Sequence, residues 1–133
     1  MNSLSGHISN IEECGQLSLV TVRFSATLIL KAIVVETTAT AAYLSIDRKI
    51  KMLFKETEVV VGTNAPHAIS LQNRIEGTVQ AIERGQLISK IKIATEVGVV
   101  VSIISTNAVA HLRLVENLPV VAMIKLNEMM LAE

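Results

Sequence analysis

Apolar and polar residues alternate with a period of two in several stretches of the chain. Residues 18–24 read Ser-Leu-Val-Thr-Val-Arg-Phe, and in Ser89-Lys90-Ile91-Lys92-Ile93 the lysines fall on one face and the isoleucines on the other. A period of two predicts strands with one wet face and one buried face. The unbroken β-branched runs Ile33-Val34-Val35 and residues 99–104 (Val-Val-Val-Ser-Ile-Ile) predict strands buried on both faces. Residues 38–43 and 107–111 are short, Ala-rich and polar at their start, which predicts a single helical turn in each, capped by Thr38 or Asn107.

The pattern occurs twice. Asn2-Ser3-Leu4-Ser5-Gly6-His7-Ile8 aligns with Asn73-Arg74-Ile75-Glu76-Gly77-Thr78-Val79 at a shift of 71, and Ile11-Glu12 falls on Ile82-Glu83 at the same shift. With one extra residue at Cys14, Gly15-Gln16-Leu17 meets Gly85-Gln86-Leu87 at a shift of 70. Thr37 to Ile46 then aligns with Ser105 to Leu114 at 68, and Lys55-Glu56-Thr57-Glu58-Val59 with Lys125-Leu126-Asn127-Glu128-Met129 at 70. Such a repeat predicts a duplicated unit. Each copy holds four or five short strands and one helical turn, which suits a small OB-like β-barrel. The predicted fold is therefore all-β: two OB-like barrels in tandem, a first unit over 1–62, a linker over 63–69 carrying Pro66, and a second unit over 70–133. The linker is short enough for the units to pack together.

Composition narrows the functional classes. The 133 residues are 50% hydrophobic but only 2% aromatic (Phe24, Tyr43, Phe54), so the core must be aliphatic. Twelve basic residues balance twelve acidic ones, which leaves no field to draw nucleic acid. Single-strand binding on a barrel would also need stacking aromatics in a basic groove. The longest apolar stretches are about half a membrane span, and the start of the chain lacks a basic, apolar leader. A lone cysteine, Cys14, makes no internal disulfide and fits a reducing, cytoplasmic setting. High apolar content in so small a domain points to surface covered by a second subunit, most simply a homo-oligomer.

Catalytic motifs are missing. His7, His67 and His111 are scattered, the six glycines are isolated, and no metal, nucleophile or phosphate-loop signature occurs. Cys14 sits beside Glu12 and Glu13, whose charge raises a thiol pKa, so it reads as inert. The Glu12-Glu13 pair reads as a solvated surface pair. What recurs is a set of small hydroxyls and a lysine: Thr37 and Thr40 against Ser105 and Ala108, Lys55 against Lys125, and Ser70 ahead of Asn73. Hydroxyls, backbone N–H groups at a turn and an ammonium are what a small tetrahedral oxyanion requires, donors without acceptors. The plainer reading of the same residues is that the hydroxyls cap turns and the lysines face water.

These residues resemble those of a known family, the molybdate-binding Mop or TOBE domains. Such domains occur singly or in tandem in small molbindins, and at the C-terminus of molybdate-responsive regulators and molybdate transport ATPases. The family's opening Ser-x-Arg-Asn-x-Leu-x-Gly is similar to Ser70-Leu71-Gln72-Asn73-Arg74-Ile75-Glu76-Gly77. Its Ile-Thr-x-x-Ser motif with a following Leu-x-Leu is similar to Ile104-Ser105-Thr106-Asn107-Ala108 with Leu112-Arg113-Leu114, and its Lys-Ala-x-x-Val to residues 125–129. In the first copy, Asn2 to Gly6, Thr37 to Thr40 with Leu44-Ser45-Ile46, and Lys55 to Val59 take the same parts. Gln72 stands where the family has Arg, Ala108 where it has Ser, and nothing in the first copy corresponds to Ser70.

The resemblance implies a tandem, di-Mop protein that binds molybdate or tungstate without catalysis, at interfaces between units and subunits. It implies oxyanion donors at Ser70, Asn73, Ser105 and Lys125 in the second unit and at Thr37, Thr40 and Lys55 in the first. It further implies storage, homeostasis or sensing in the cytoplasm, by a dimer or trimer. The alternative is a regulatory or dimerisation TOBE module of a molybdate transport ATPase or transcription regulator, with oxyanion sites weakened by the departures at Gln72 and Ala108.

Overall fold

The computed structural model describes residues 1–63 and 66–133; of the linker expected over 63–69, residues 64 and 65 lie outside the described residues. Ten strands are present: β1 (Asn2–Cys14), β2 (Leu17–Arg23), β3 (Ile29–Val34), β4 (Lys49–Phe54), β5 (Val60–Gly62), β6 (Asn73–Arg84), β7 (Ile88–Thr95), β8 (Gly98–Ser105), β9 (Pro119–Ile124) and β10 (Met130–Ala132). One helix, α1 (Thr106–His111), and two single 3-10 turns, Glu56–Glu58 and Leu126–Glu128, complete the described elements. The expectation of an all-β chain holds, and the architecture fits an OB-like fold.

The strands form two five-stranded antiparallel sheets, in the orders β10-β4-β1-β2-β3 and β5-β9-β6-β7-β8. Long strands organise both. The first half of β1 pairs with β4 and its second half with β2, and β6 divides itself in the same way between β9 and β7. A bulge marks each changeover, between Ile8 and Asn10 in β1 and between Val79 and Ala81 in β6. The extra residue bends the strand and increases its twist, as a sheet curling into a barrel requires.

The sheets exchange their last strands. β5 pairs with β9 of the second sheet, and β10, at the end of the chain, pairs with β4 of the first. The two units read from the sequence thus share strands across the 62/70 boundary. Buried residues from both, among them Leu4, Ile8, Val22, Phe54, Ile75, Ile93, Leu114 and Ile124, belong to one hydrophobic cluster.

Three local expectations are corrected. The runs at Ile33-Val34-Val35 and residues 99–104 are not buried on both faces, because each sheet packs one face on the core and nothing in the described chain covers the other. Ala32 and Val100 face the core, while Ile33, Val35 and Val99 are exposed, Val35 at 75%. Of the two helical turns only the second is a helix, and its cap is Ser105, whose Oγ accepts the Ala108 N–H at 3.0 Å, not Asn107. Around Thr38 the chain forms non-helical turns held by Thr37 N–H to Thr40 Oγ1 at 2.8 Å. Finally, the Gly-Gln-Leu letters do not occupy matched positions. Glu13 pairs with Ser18 and Arg84 with Ser89, so the shift of 71 persists through the first hairpin of each unit. Gly15 turns with a positive φ of 63°, whereas Gly85 donates its N–H to the Ile88 carbonyl.

Candidate functional site: lysine ends and hydroxyl ends

The two lysines occupy one local conformation. Each follows a strand that pairs with the start of a long strand, Phe54 with Asn2 and Ile124 with Asn73, and each opens a 3-10 turn. Lys55 has φ −71° and ψ 144°, and Lys125 has φ −69° and ψ 145°, extended backbone that ends the strand and starts the turn. Both side chains are on exposed residues. Of the three ion pairs among the described residues, neither lysine takes part in one, so both ammonium groups are unspent.

Ser70 lies at the Lys125 end, two residues before Gln72, and is exposed. The backbone beside it is held by Arg74, whose guanidinium donates to the carbonyls of His67 at 2.7 Å and Leu71 at 2.9 Å. Asn73, expected among the oxyanion donors, does something else. It is 2% exposed, its Oδ1 accepts the Lys31 N–H and its Nδ2 donates to the Lys31 carbonyl, both at 2.8 Å. Its carboxamide joins the second sheet to the edge strand of the first. Asn2 makes the reciprocal pair of bonds with Val101 on β8, again at 2.8 Å each.

Thr37, Thr40 and Ser105 lie at the opposite ends of the long strands. Ser105 pairs with Ile88, next to the Ser89 that meets Arg84 at the end of β6. Thr37 follows Glu36, whose carbonyl accepts the hydroxyl of Ser18, the partner of Glu13 at the end of β1. A concavity of about 340 Å³ is lined there by Gly15, Gln16, Val35, Glu36, Thr37 and Thr40. With its Oγ accepting from Ala108, Ser105 keeps its O–H free to donate outward. The structure therefore brings Thr37 together with Thr40, and within each unit it sets the lysine and the turn hydroxyls at opposite ends of the long strand.

Three further residues belong to these ends: Lys31 and Arg84, not singled out from the sequence, and Glu13, read there only as half of a solvated surface pair. Lys31 holds the Asn73 bridge with its main chain and adds a cation on β3. Glu13 accepts the Thr38 N–H at 2.9 Å, and hydrogen bonds from the Thr38 side chain and N–H hold its carboxyl below the usual glutamate value. Arg84 stands at Glu13's place in the second unit. The shift of 71 already carries Glu13 onto Arg84, so that reversal of charge was readable; the position of Lys31 needs the exchange between sheets to be seen.

No group of three or more His, Cys, Asp or Glu side chains is placed to hold a metal ion among the described residues, and Cys14 is exposed at the end of β1. No helix of the structure is long and apolar enough to cross a membrane.

Comparison with known proteins agrees with this architecture. Residues 69–131 match the family model described as the TOBE domain. Among solved structures, the chain is similar to the cytoplasmic molybdate-binding protein ModG, crystallised with molybdate bound, at 25% identity and a TM-score of 0.91. The superposition covers 98% of this chain and 94% of that one. A search of the curated proteins returns no match.

Proposed function

We propose that the protein is a tandem Mop-type binder of molybdate or tungstate, acting without catalysis in cytoplasmic storage, homeostasis or sensing. The observation that carries this reading is the likeness to molybdate-bound ModG over essentially both whole chains. The donor chemistry supports it. Lys55 and Lys125 are exposed ammonium groups without ion-pair partners among the described residues, and Ser70, Ser105, Thr37 and Thr40 place hydroxyls on the surface or beside an open concavity. These are groups that donate to a dianion.

Magnitudes then argue for assembly. Micromolar affinity requires about −8 kcal/mol, and a hydrogen bond to a charged group nets roughly 1.5–3 kcal/mol before the ligand's immobilisation is counted. Four or five donors must converge. Within each unit the lysine and the turn hydroxyls occupy opposite ends of the long strand, so no unit gathers the full set by itself, and a second copy supplies the missing donors. The exposed apolar residues supply such a contact: Val35 and Leu17 near the first turn, Leu87 (80% exposed) and Ile88 near the second. The protein is thus a homo-oligomer, dimer or trimer, whose contacts complete the oxyanion sites. Asn73 takes part only indirectly, by fixing the Lys125 end.

The test is calorimetric titration with molybdate, tungstate, sulfate and phosphate, with the oligomer's mass measured by sedimentation. Heat with molybdate at tens of micromolar is expected, weakened about tenfold by Lys125→Ala, the worth of a charged hydrogen bond. No heat with either metalate would overturn the reading.

A further inference from the structure

The two units are not alike in charge at their turns. Glu13 and Arg84 occupy equivalent places, each paired with a buried serine whose hydroxyl is tied to the segment leaving the edge strand. Ser18 donates to the Glu36 carbonyl at 2.5 Å, and Ser89 lies 2.7 Å from Thr106 Oγ1. The side chains at the two matched places do opposite things. In the first unit the Thr38 N–H at the turn is met by the Glu13 carboxylate at 2.9 Å, and a second carboxylate, that of Glu36, lines the adjoining concavity. In the second unit the matched N–H, that of Thr106, is taken by the neutral Leu87 carbonyl at 2.9 Å, and Arg84 makes only a long contact, 3.5 Å, to the Leu114 carbonyl.

We propose that Glu13 is a specificity-determining residue: its carboxylate sits on the Thr38 N–H as a resident anion, so that the first turn holds a dianionic oxyanion more weakly than the second. The inference rests on the oxyanion reading above and deepens it. A dianion approaching Thr37 and Thr40 meets a like charge fixed beside it. In the second unit the matched place carries a cationic residue, Arg84, and no carboxylate. The hydrogen bonds that keep Glu13 ionised make this a standing charge at neutral pH. This charge reversal adds to the other differences between the copies, Thr40 against Ala108 and the missing counterpart of Ser70.

The experiment uses the full chain with sodium molybdate in a calorimeter, comparing the wild type with Glu13→Gln and Arg84→Glu. Both residues are exposed, and Gln keeps the shape of Glu, so melting temperature serves as the check on folding. Glu13→Gln is expected to raise the number of molybdate ions bound per chain in the low micromolar range, and Arg84→Glu to weaken the strongest site about tenfold or more. If the wild type binds and Glu13→Gln matches it in both stoichiometry and affinity, this inference falls while the oxyanion reading stands. If the wild type and both variants give no heat, the reading falls and the inference with it.

Discussion

The Asn73 carboxamide spans the main chain of Lys31, taking its N–H and giving to its carbonyl at 2.8 Å each, as a neighbouring strand would. Lys31 lies on the outer edge of the first sheet, where backbone groups otherwise lack a ladder partner. Removing the carboxamide leaves two polar groups at a buried junction without partners. Asn73→Ala is expected to cost about 2 kcal/mol in denaturant unfolding. Asn2→Ala, which frees Val101 in the same way, should cost a similar amount, and the double variant should show near-additive loss because the bridges share no partner.

Strand exchange makes the end of the chain part of the first sheet. Met130, Leu131 and Ala132 pair with Leu53, Met52 and Lys51 of β4. Deleting residues 130–133 is expected to speed amide hydrogen exchange in β4 more than in β9, although β9 is nearer in sequence. Greater loss of protection in β9 would mean that the second sheet depends on its own terminal segment.

Much of this arrangement was legible in the sequence, for reasons tied to particular residues. Lys90 to Ile93 alternate because one face of β7 is buried, and the 71-residue shift survives because Gly6 and Gly77 both sit where a long strand crosses its neighbour closely. What was not legible depends on distance through space. Nothing in Asn73 distinguishes a carboxamide offered to a ligand from one bridging to a backbone 42 residues away. The β-branched run at 99–104 looks the same whether its second face is covered by this chain or left for another copy. Spacing along the chain likewise cannot show that Lys125 and Ser105 lie at opposite ends of β6, since that follows from pairing.

Gly77 has no room for a side chain. A Cβ there would stand 2.4 Å from the Ala94 carbonyl oxygen and 2.7 Å from Ile93 Cγ2, so strand β7 itself would have to move. Gly77→Ala is expected to destabilise by about 1–3 kcal/mol, as overpacking does. Gly15 gives the contrast: its Cβ would meet nothing within 4 Å, and only its φ of 63° resists substitution. Gly15→Ala should therefore cost about 1–2 kcal/mol through backbone strain alone. Thermal melts of the two variants would separate a clash from a conformational penalty, because further enlargement to Val should worsen the loss sharply at position 77.

Tyr43 is the sole tyrosine in a chain without tryptophan, so its phenolate absorbance reports a single group. Burial, followed by the hydrogen bond it donates to Glu36 and the charges of Glu36 and Glu133, raises its pKa well above the ordinary value of 10. A raised value in the folded state favours the neutral phenol. Its contribution to stability is therefore complete below the unfolded-state pKa, near 10, and disappears only as pH climbs through the higher folded value. In a spectroscopic titration the native protein should remain un-ionised at about pH 10, where denatured chain is half phenolate. Glu36→Gln removes the charged acceptor and should bring the native midpoint down while leaving the denatured one unchanged. A native midpoint near 10 would show that the O–H is not engaged by the carboxylate, and with it that Glu36 is not held beside the first turn as described.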